Sequence, residues 1–170
     1  QDDPLSFTSS NSEIEIDSAG NLTFVSPPDY ETKTSYISTI TVSDGGNDAT
    51  QQITINITNL NDEAPKFTSA AIFNADENQT AIGAVTATDE DGDNIIFTVS
   101  GDELAISSAG VLSFVSVPDY ESKSTYTATV TASDGENASM QDITVNIKNI
   151  NEAPIFGATT YTIDERQRFI

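Results

Sequence analysis

One stretch of this chain is written twice, roughly ninety residues apart, and that repeat limits the fold more than any single motif does. Ile16-Asp17-Ser18-Ala19-Gly20-Asn21-Leu22-Thr23-Phe24-Val25 returns as Ile106-Ser107-Ser108-Ala109-Gly110-Val111-Leu112-Ser113-Phe114-Val115, and Pro28-Asp29-Tyr30-Glu31 returns as Pro118-Asp119-Tyr120-Glu121. Ser43-Asp44-Gly45 recurs as Ser133-Asp134-Gly135. Asn59-Leu60-Asn61-Asp62-Glu63-Ala64-Pro65 is answered by Asn149-Ile150-Asn151-Glu152-Ala153-Pro154, one residue shorter. Phe73 to Glu77 resembles Tyr161 to Glu165, so a third unit opens before Ile170. A period of this length is too long for a solenoid coil and suits a small domain. The expected organisation is residues 1–64 as a domain without its first strands, 65–153 as a complete domain and 154–170 as the first strand of another.

Inside each unit the hydrophobic period is two. Tyr126, Ala128, Val130 and Ala132 alternate with Thr125, Thr127, Thr129 and Thr131, the mark of a strand with one buried and one solvated face. Tyr36, Ser38, Ile40 and Val42 repeat it, and Ile53, Ile55 and Ile57, like Ile143, Val145 and Ile147, form a closing strand ahead of the linker. Phe97 and Val99, Leu104 and Ile106, and Leu112 and Phe114 supply shorter strands between turns at Gly101-Asp102 and Ala109-Gly110. Helical periodicity is lacking throughout. The expected fold is all-β, a tandem of Greek-key β-sandwiches arranged end to end.

Charge and composition exclude several classes of function. With 27 acidic and 6 basic residues the net charge is -21, which repels nucleic-acid phosphates and anionic lipid heads, so neither is an expected partner. No apolar run is long enough for a spanning helix, so membrane insertion is not expected of these residues. Cys and His are both absent, which removes the strongest nucleophile and the commonest general base, and the acids have no Trp-lined cleft beside them. Catalysis is therefore not expected.

The acids are placed rather than scattered. Asp89-Glu90-Asp91-Gly92-Asp93-Asn94 crowds carboxylates into a turn between two apolar runs. An EF-hand does not explain it, because counting from Asp89 puts Ser100 where the bidentate Glu belongs, and a strand follows instead of a helix. Alone, such a turn is equally a solvated loop of ordinary turn formers.

Taken together the motifs resemble the cadherin family. Asn59-x-Asn61-Asp62-Glu63-x-Pro65 resembles the cadherin interdomain linker, and Thr88-Asp89-Glu90-Asp91 its Asp-x-Asp loop. Pro118-Asp119-Tyr120-Glu121 stands where cadherins carry Asp-Arg-Glu, Ala75-Asp76-Glu77-Asn78 where they carry an early-strand Glu, and Ser133-Asp134-Gly135 where a late Asp reaches the top of the domain. The short, cysteine-free, Thr/Ser-rich units are most similar to prokaryotic cadherin-like modules.

The resemblance implies calcium ions held at each junction between domains. At the first, Asp29 and Glu31 of the upper domain, Asn61, Asp62 and Glu63 of the linker, and Asp89, Asp91 and Asp134 of the lower domain would be ligands. At the second, Glu77, Asp119, Glu121, Asn151, Glu152 and Glu165 would serve, with Asp164 beside the last. Oxygen-only ligands suit Ca²⁺, whereas Zn²⁺ and copper prefer nitrogen or sulfur and Mg²⁺ fits many-carboxylate cages poorly. Tyr30 and Tyr120 replace the family's Arg, Asn59 and Asn149 replace a linker acid, and the second linker keeps one carboxylate, so fewer or weaker ions are expected there. Two carboxylates about 4 Å apart repel by roughly 4 kcal/mol at an effective dielectric near 20, so a cation would turn a repelling hinge into a stiff one. The expected role is a calcium-rigidified spacer in an extracellular or cell-surface adhesin or filament, whose partners are calcium and neighbouring repeats. The strand-exchange Trp of classical cadherins is missing, so homophilic adhesion through it is not expected. The alternatives are a sandwich that binds a glycan or protein, and a polymer subunit in head-to-tail self-association by strand addition.

Overall fold

The computed structural model describes residues 4–154, and among these every regular element is a strand. Asp164, Glu165 and the expected third repeat lie outside the described residues.

The first unit is built from β1 (Ser6–Ser9), β2 (Ile14–Ile16), β3 (Leu22–Phe24), β4 (Ser35–Ser43) and β5 (Asp48–Asn56). Strands β1, β4 and β5 form one antiparallel sheet, and β2 and β3 form a hairpin. The second unit begins with β6 (Lys66–Phe67), β7 (Ile72–Asp76), β8 (Ala81–Ala84) and β9 (Ala87–Thr88), which have no counterpart in the described part of the first. It continues with β10 (Ile96–Val99), β11 (Leu104–Ile106), β12 (Val111–Phe114), β13 (Thr125–Ser133) and β14 (Ala138–Lys148), which repeat β1 to β5. One sheet has the order β10-β13-β14-β7 and the facing one β11-β12-β8, with β7 running parallel to β14.

The repeat also fixes register. Phe7 lies opposite Val42 as Phe97 lies opposite Ala132, and Tyr36 opposite Ile55 as Tyr126 opposite Val145. The alternating residues of β13 and β14 therefore point inward together, and Val130, Ala132, Ile143 and Val145 are fully buried with Leu112 and Phe114 from the facing sheet. Val85 closes this core against the turn before β12. There Gly110 has φ +86°, and a Cβ on it would come within 2.2 Å of the Val85 carbonyl oxygen, so glycine is required by conformation and by contact.

Burial separates the two units. Leu112 is 1% exposed, whereas its repeat counterpart Leu22 is 40% exposed, because β8 covers the first and nothing described covers the second. Apolar residues Phe7, Ile16, Leu22, Ile40, Val42 and Ile53 line an open hollow of about 350 Å³ on that face.

The pairing of β6 with β9 sets Lys66 against Thr88, which brings the start of the second unit beside Asp89. Asp91 then meets the linker at Asn59, Asp62 and Glu63, and Asn137 of the β13–β14 turn meets it at Asn61. In the first unit the loop carrying Glu31 returns beside the end of β5, held by the Ile57 N–H donating to the Thr34 carbonyl at 2.9 Å.

Candidate metal centre

Three aspartates of the second unit share one arrangement. Asp89 accepts the Asp93 N–H on Oδ1 at 3.2 Å. Asp91 accepts the N–H groups of Asp62 and Glu63 on Oδ2 at 3.1 and 2.9 Å. Asp134 accepts the N–H groups of Glu136 and Asn137 on Oδ1 at 2.8 and 2.6 Å, closing the β13–β14 turn. In each case the other oxygen, Asp89 Oδ2, Asp91 Oδ1 and Asp134 Oδ2, is buried without a hydrogen-bond partner. A buried carboxylate oxygen without a donor is costly, and a cation is the partner that satisfies several at once. The donor set therefore fits a hard divalent ion such as calcium.

The first unit and linker reach the same place. Carboxylate oxygens of Glu31, Asp62 and Asp91 lie within 4.8 Å of one another, as do those of Asp89, Asp91 and Asp93. Desolvation pushes the Glu31 carboxyl above its ordinary 4.5, its own backbone N–H opposes this, and neighbouring Asp91 and Asp29 add to the rise. Desolvation also pushes Asp134 up, but the N–H groups of Asn137 and Glu136 together with the Asn61 side chain outweigh it and hold the carboxyl below 3.8.

Other expected ligands already have partners of their own. Asp29 caps its own loop, accepting the Glu31 and Thr32 N–H groups on Oδ1 at 3.0 and 3.2 Å and the Thr32 hydroxyl on Oδ2 at 2.7 Å. The Thr32 hydroxyl, then its N–H, holds that carboxyl below its usual value. Glu63 faces Lys66 at 3.9 Å, and Lys66 makes its closer ion pair with Glu90 at 2.6 Å. Asn61 accepts the Asn137 side-chain amide on its carbonyl oxygen at 3.3 Å and on Oδ1 at 3.1 Å.

At the second junction Glu77, Asp119 and Glu121 are brought within 4.8 Å of one another. Their oxygens are better satisfied. Buried Glu77 accepts the Ile150 N–H at 2.6 Å and the Tyr120 N–H at 2.9 Å, and Asp119 accepts the Glu121 N–H and the Ser122 hydroxyl at 3.1 and 2.6 Å. Glu121 accepts the Asn149 amide, and Glu152 the Asn78 amide, each at 2.8 Å. Asn151 is exposed.

No protein-family model matches the chain. The protocadherin-like wing polarity protein stan of Drosophila melanogaster is 32% identical over 164 residues, covering 84% of this chain and 5% of that protein. The cadherin EGF LAG seven-pass G-type receptor 2 of Mus musculus is 30% identical over 162 residues, with the same coverage of 84% and 5%. Among solved structures, the Drosophila N-cadherin EC1-4 fragment superposes with a TM-score of 0.73 at 25% identity, covering 87% of this chain and 42% of that one. Extracellular cadherin domains 3-6 of protocadherin gamma B2 give 0.75 at 21%, covering 85% and 41%. The chain is built of cadherin-like domains. It spans about 5% of the length of the curated relatives named above.

In this cadherin-like chain Asp93 and Asn137 join the junction as well, and Asn59 joins it through its side-chain amide. Asp93 clusters with Asp89 and Asp91, and its only sequence signal is its place in the same acidic run. Asn59 donates its side-chain amide to the Asp91 carbonyl at 2.8 Å, and Asn137 grips Asn61. Neither contact has a local signal, since the partners are 32 and 76 residues apart.

Proposed function

We propose that these cadherin-like domains bind calcium at the first junction and serve as a calcium-stiffened spacer in an extracellular or cell-surface protein. The observation that carries this reading is the set of buried oxygens without donors on Asp89, Asp91 and Asp134, with Glu31 and Asp62 gathered on Asp91. Asp89, Asp91, Asp134 and Asp62, with Glu31 from the other unit, would hold the ion. Bound there, calcium would neutralise the repulsion between Glu31 and Asp91 and join the units through shared ligands. The second junction would bind more weakly, because backbone N–H groups, the Ser122 hydroxyl and the Asn149 amide already donate to Glu77, Asp119 and Glu121.

Calorimetric titration of the whole chain tests the reading. Wild type should take up calcium with a dissociation constant of about 0.1 to 1 mM, the range of extracellular modules. Asp89→Ala and Asp62→Ala, altered on the second unit and on the linker, should each lose the tighter heat. Wild-type heats equal to those of buffer, or both variants titrating as wild type, would sink the proposal.

A further inference from the structure

We infer that the linker Asn59–Glu63 is docked on the second unit before any cation binds, and that Asn137 is a positioning residue for the junction. The docking itself is independent of the calcium reading, and only its effect on affinity rests on that reading.

The hydrogen bonds described for the linker run one way. Asn59 Nδ2 donates to the Asp91 carbonyl at 2.8 Å, the Asp62 and Glu63 N–H groups donate to Asp91 Oδ2, and Asn137 Nδ2 donates to both oxygens of Asn61. The first unit presents Glu31, whose negative charge faces Asp62 and Asp91.

Asp91 divides its carboxylate between two tasks. Oδ2 holds the linker and Oδ1 is buried and without a donor, so a cation at Oδ1 breaks none of the linker's bonds. Calcium then meets Asp62 already placed beside Asp91 and has only the loop of Glu31 to capture. Ordering a ligand in advance removes that entropy cost from the binding step. Asn137 contributes through its side chain alone, because its N–H and carbonyl belong to the Asp134 turn, and an alanine there leaves that turn in place.

Amide relaxation and residual dipolar couplings on the ¹⁵N-labelled whole chain in chelator test the docking. The Asn59, Asn61, Asp62 and Glu63 amides should fit the alignment of the second unit, with order parameters near the rigid value of about 0.85. Values below about 0.6, or alignment with the first unit, would overturn it. In Asn137→Ala these amides should lose the shared alignment. Its calcium affinity should fall about threefold to tenfold, the equivalent of one hydrogen bond, while the second unit's melting temperature in chelator stays unchanged. An Asn137→Ala chain that keeps wild-type alignment and affinity would overturn the positioning role. Ordered linker amides in a wild-type chain that shows no calcium shift would refute the calcium proposal and leave the docking standing.

Discussion

Adding calcium to the chelated chain should stabilise the two units unequally, and the structure sets the direction. Asp89, Asp91 and Asp134 all belong to the second unit and the docked linker adds Asp62, whereas the first unit contributes Glu31. Unfolding the second unit destroys the site. Unfolding the first removes one ligand. For one ion with a dissociation constant of about 0.5 mM, about 10 mM free calcium stabilises the folded second unit by about 1.8 kcal/mol. For a domain of this size that is a rise of roughly 7 to 14 °C in melting temperature. The first unit should rise by a small fraction of this. Scanning calorimetry in chelator and in calcium measures both transitions, and Leu112→Ala identifies the second unit's by lowering it. Equal shifts in both transitions, or a larger one in the first unit, would refute the assignment of ligands.

Repeat-matched substitutions test the packing. Leu112→Ala, at 1% exposure, should cost about 3 kcal/mol, and Leu22→Ala, at 40%, about 1 kcal/mol, read from denaturant midpoints of the respective transitions. Gly110→Ala should cost more than about 3 kcal/mol, since the left-handed backbone and the 2.2 Å approach to Val85 act together. Gly20→Ala has φ +87° but meets the Phe7 ring at 3.6 Å, so about 1 to 2 kcal/mol is expected. Hydrogen bonds from Asn21, Thr32, Asn47 and Ser122 lead those holding the Asp17, Asp29, Asp44 and Asp119 carboxyls below 3.8. Depressed carboxylates add stability that is present above pH 3.8 and lost as pH falls through their folded values, whereas raised Glu31 works in the opposite sense near 4.5. Their share of the stability should therefore be lost as pH falls below about 3.8, and an Asp17→Asn chain whose melting temperature in calcium-free buffer keeps the wild-type pH dependence there would contradict it.

Much of the fold was legible along the chain. The alternation Tyr126-Ala128-Val130-Ala132 is a local pattern, and the pleat turns it directly into a buried face. The repeat then made each strand of the second unit a check on one in the first. Less of the site was legible. At Asp29 the Thr32 hydroxyl ties the carboxylate to its own loop, a contact the repeated motif does not carry. The approach of Lys66 to Glu63 and Glu90 depends on where the chain turns into β6.

By itself the sequence determined the kind of chemistry on offer: acidic and amide oxygens recurring at the ends of β-sandwich repeats, with a longer and more acidic first linker. Tertiary structure alone decided which oxygen of each aspartate is tied down and which is left facing the junction. It also decided that the linker's hydrogen bonds reach Asp91 and Asn137 of the second unit. The physical reason is range. Strand period and turn residues act over a few positions, whereas the bonds from Asp62 to Asp91 and from Asn137 to Asn61 span 29 and 76 residues and exist only once the sheets have brought their loops together.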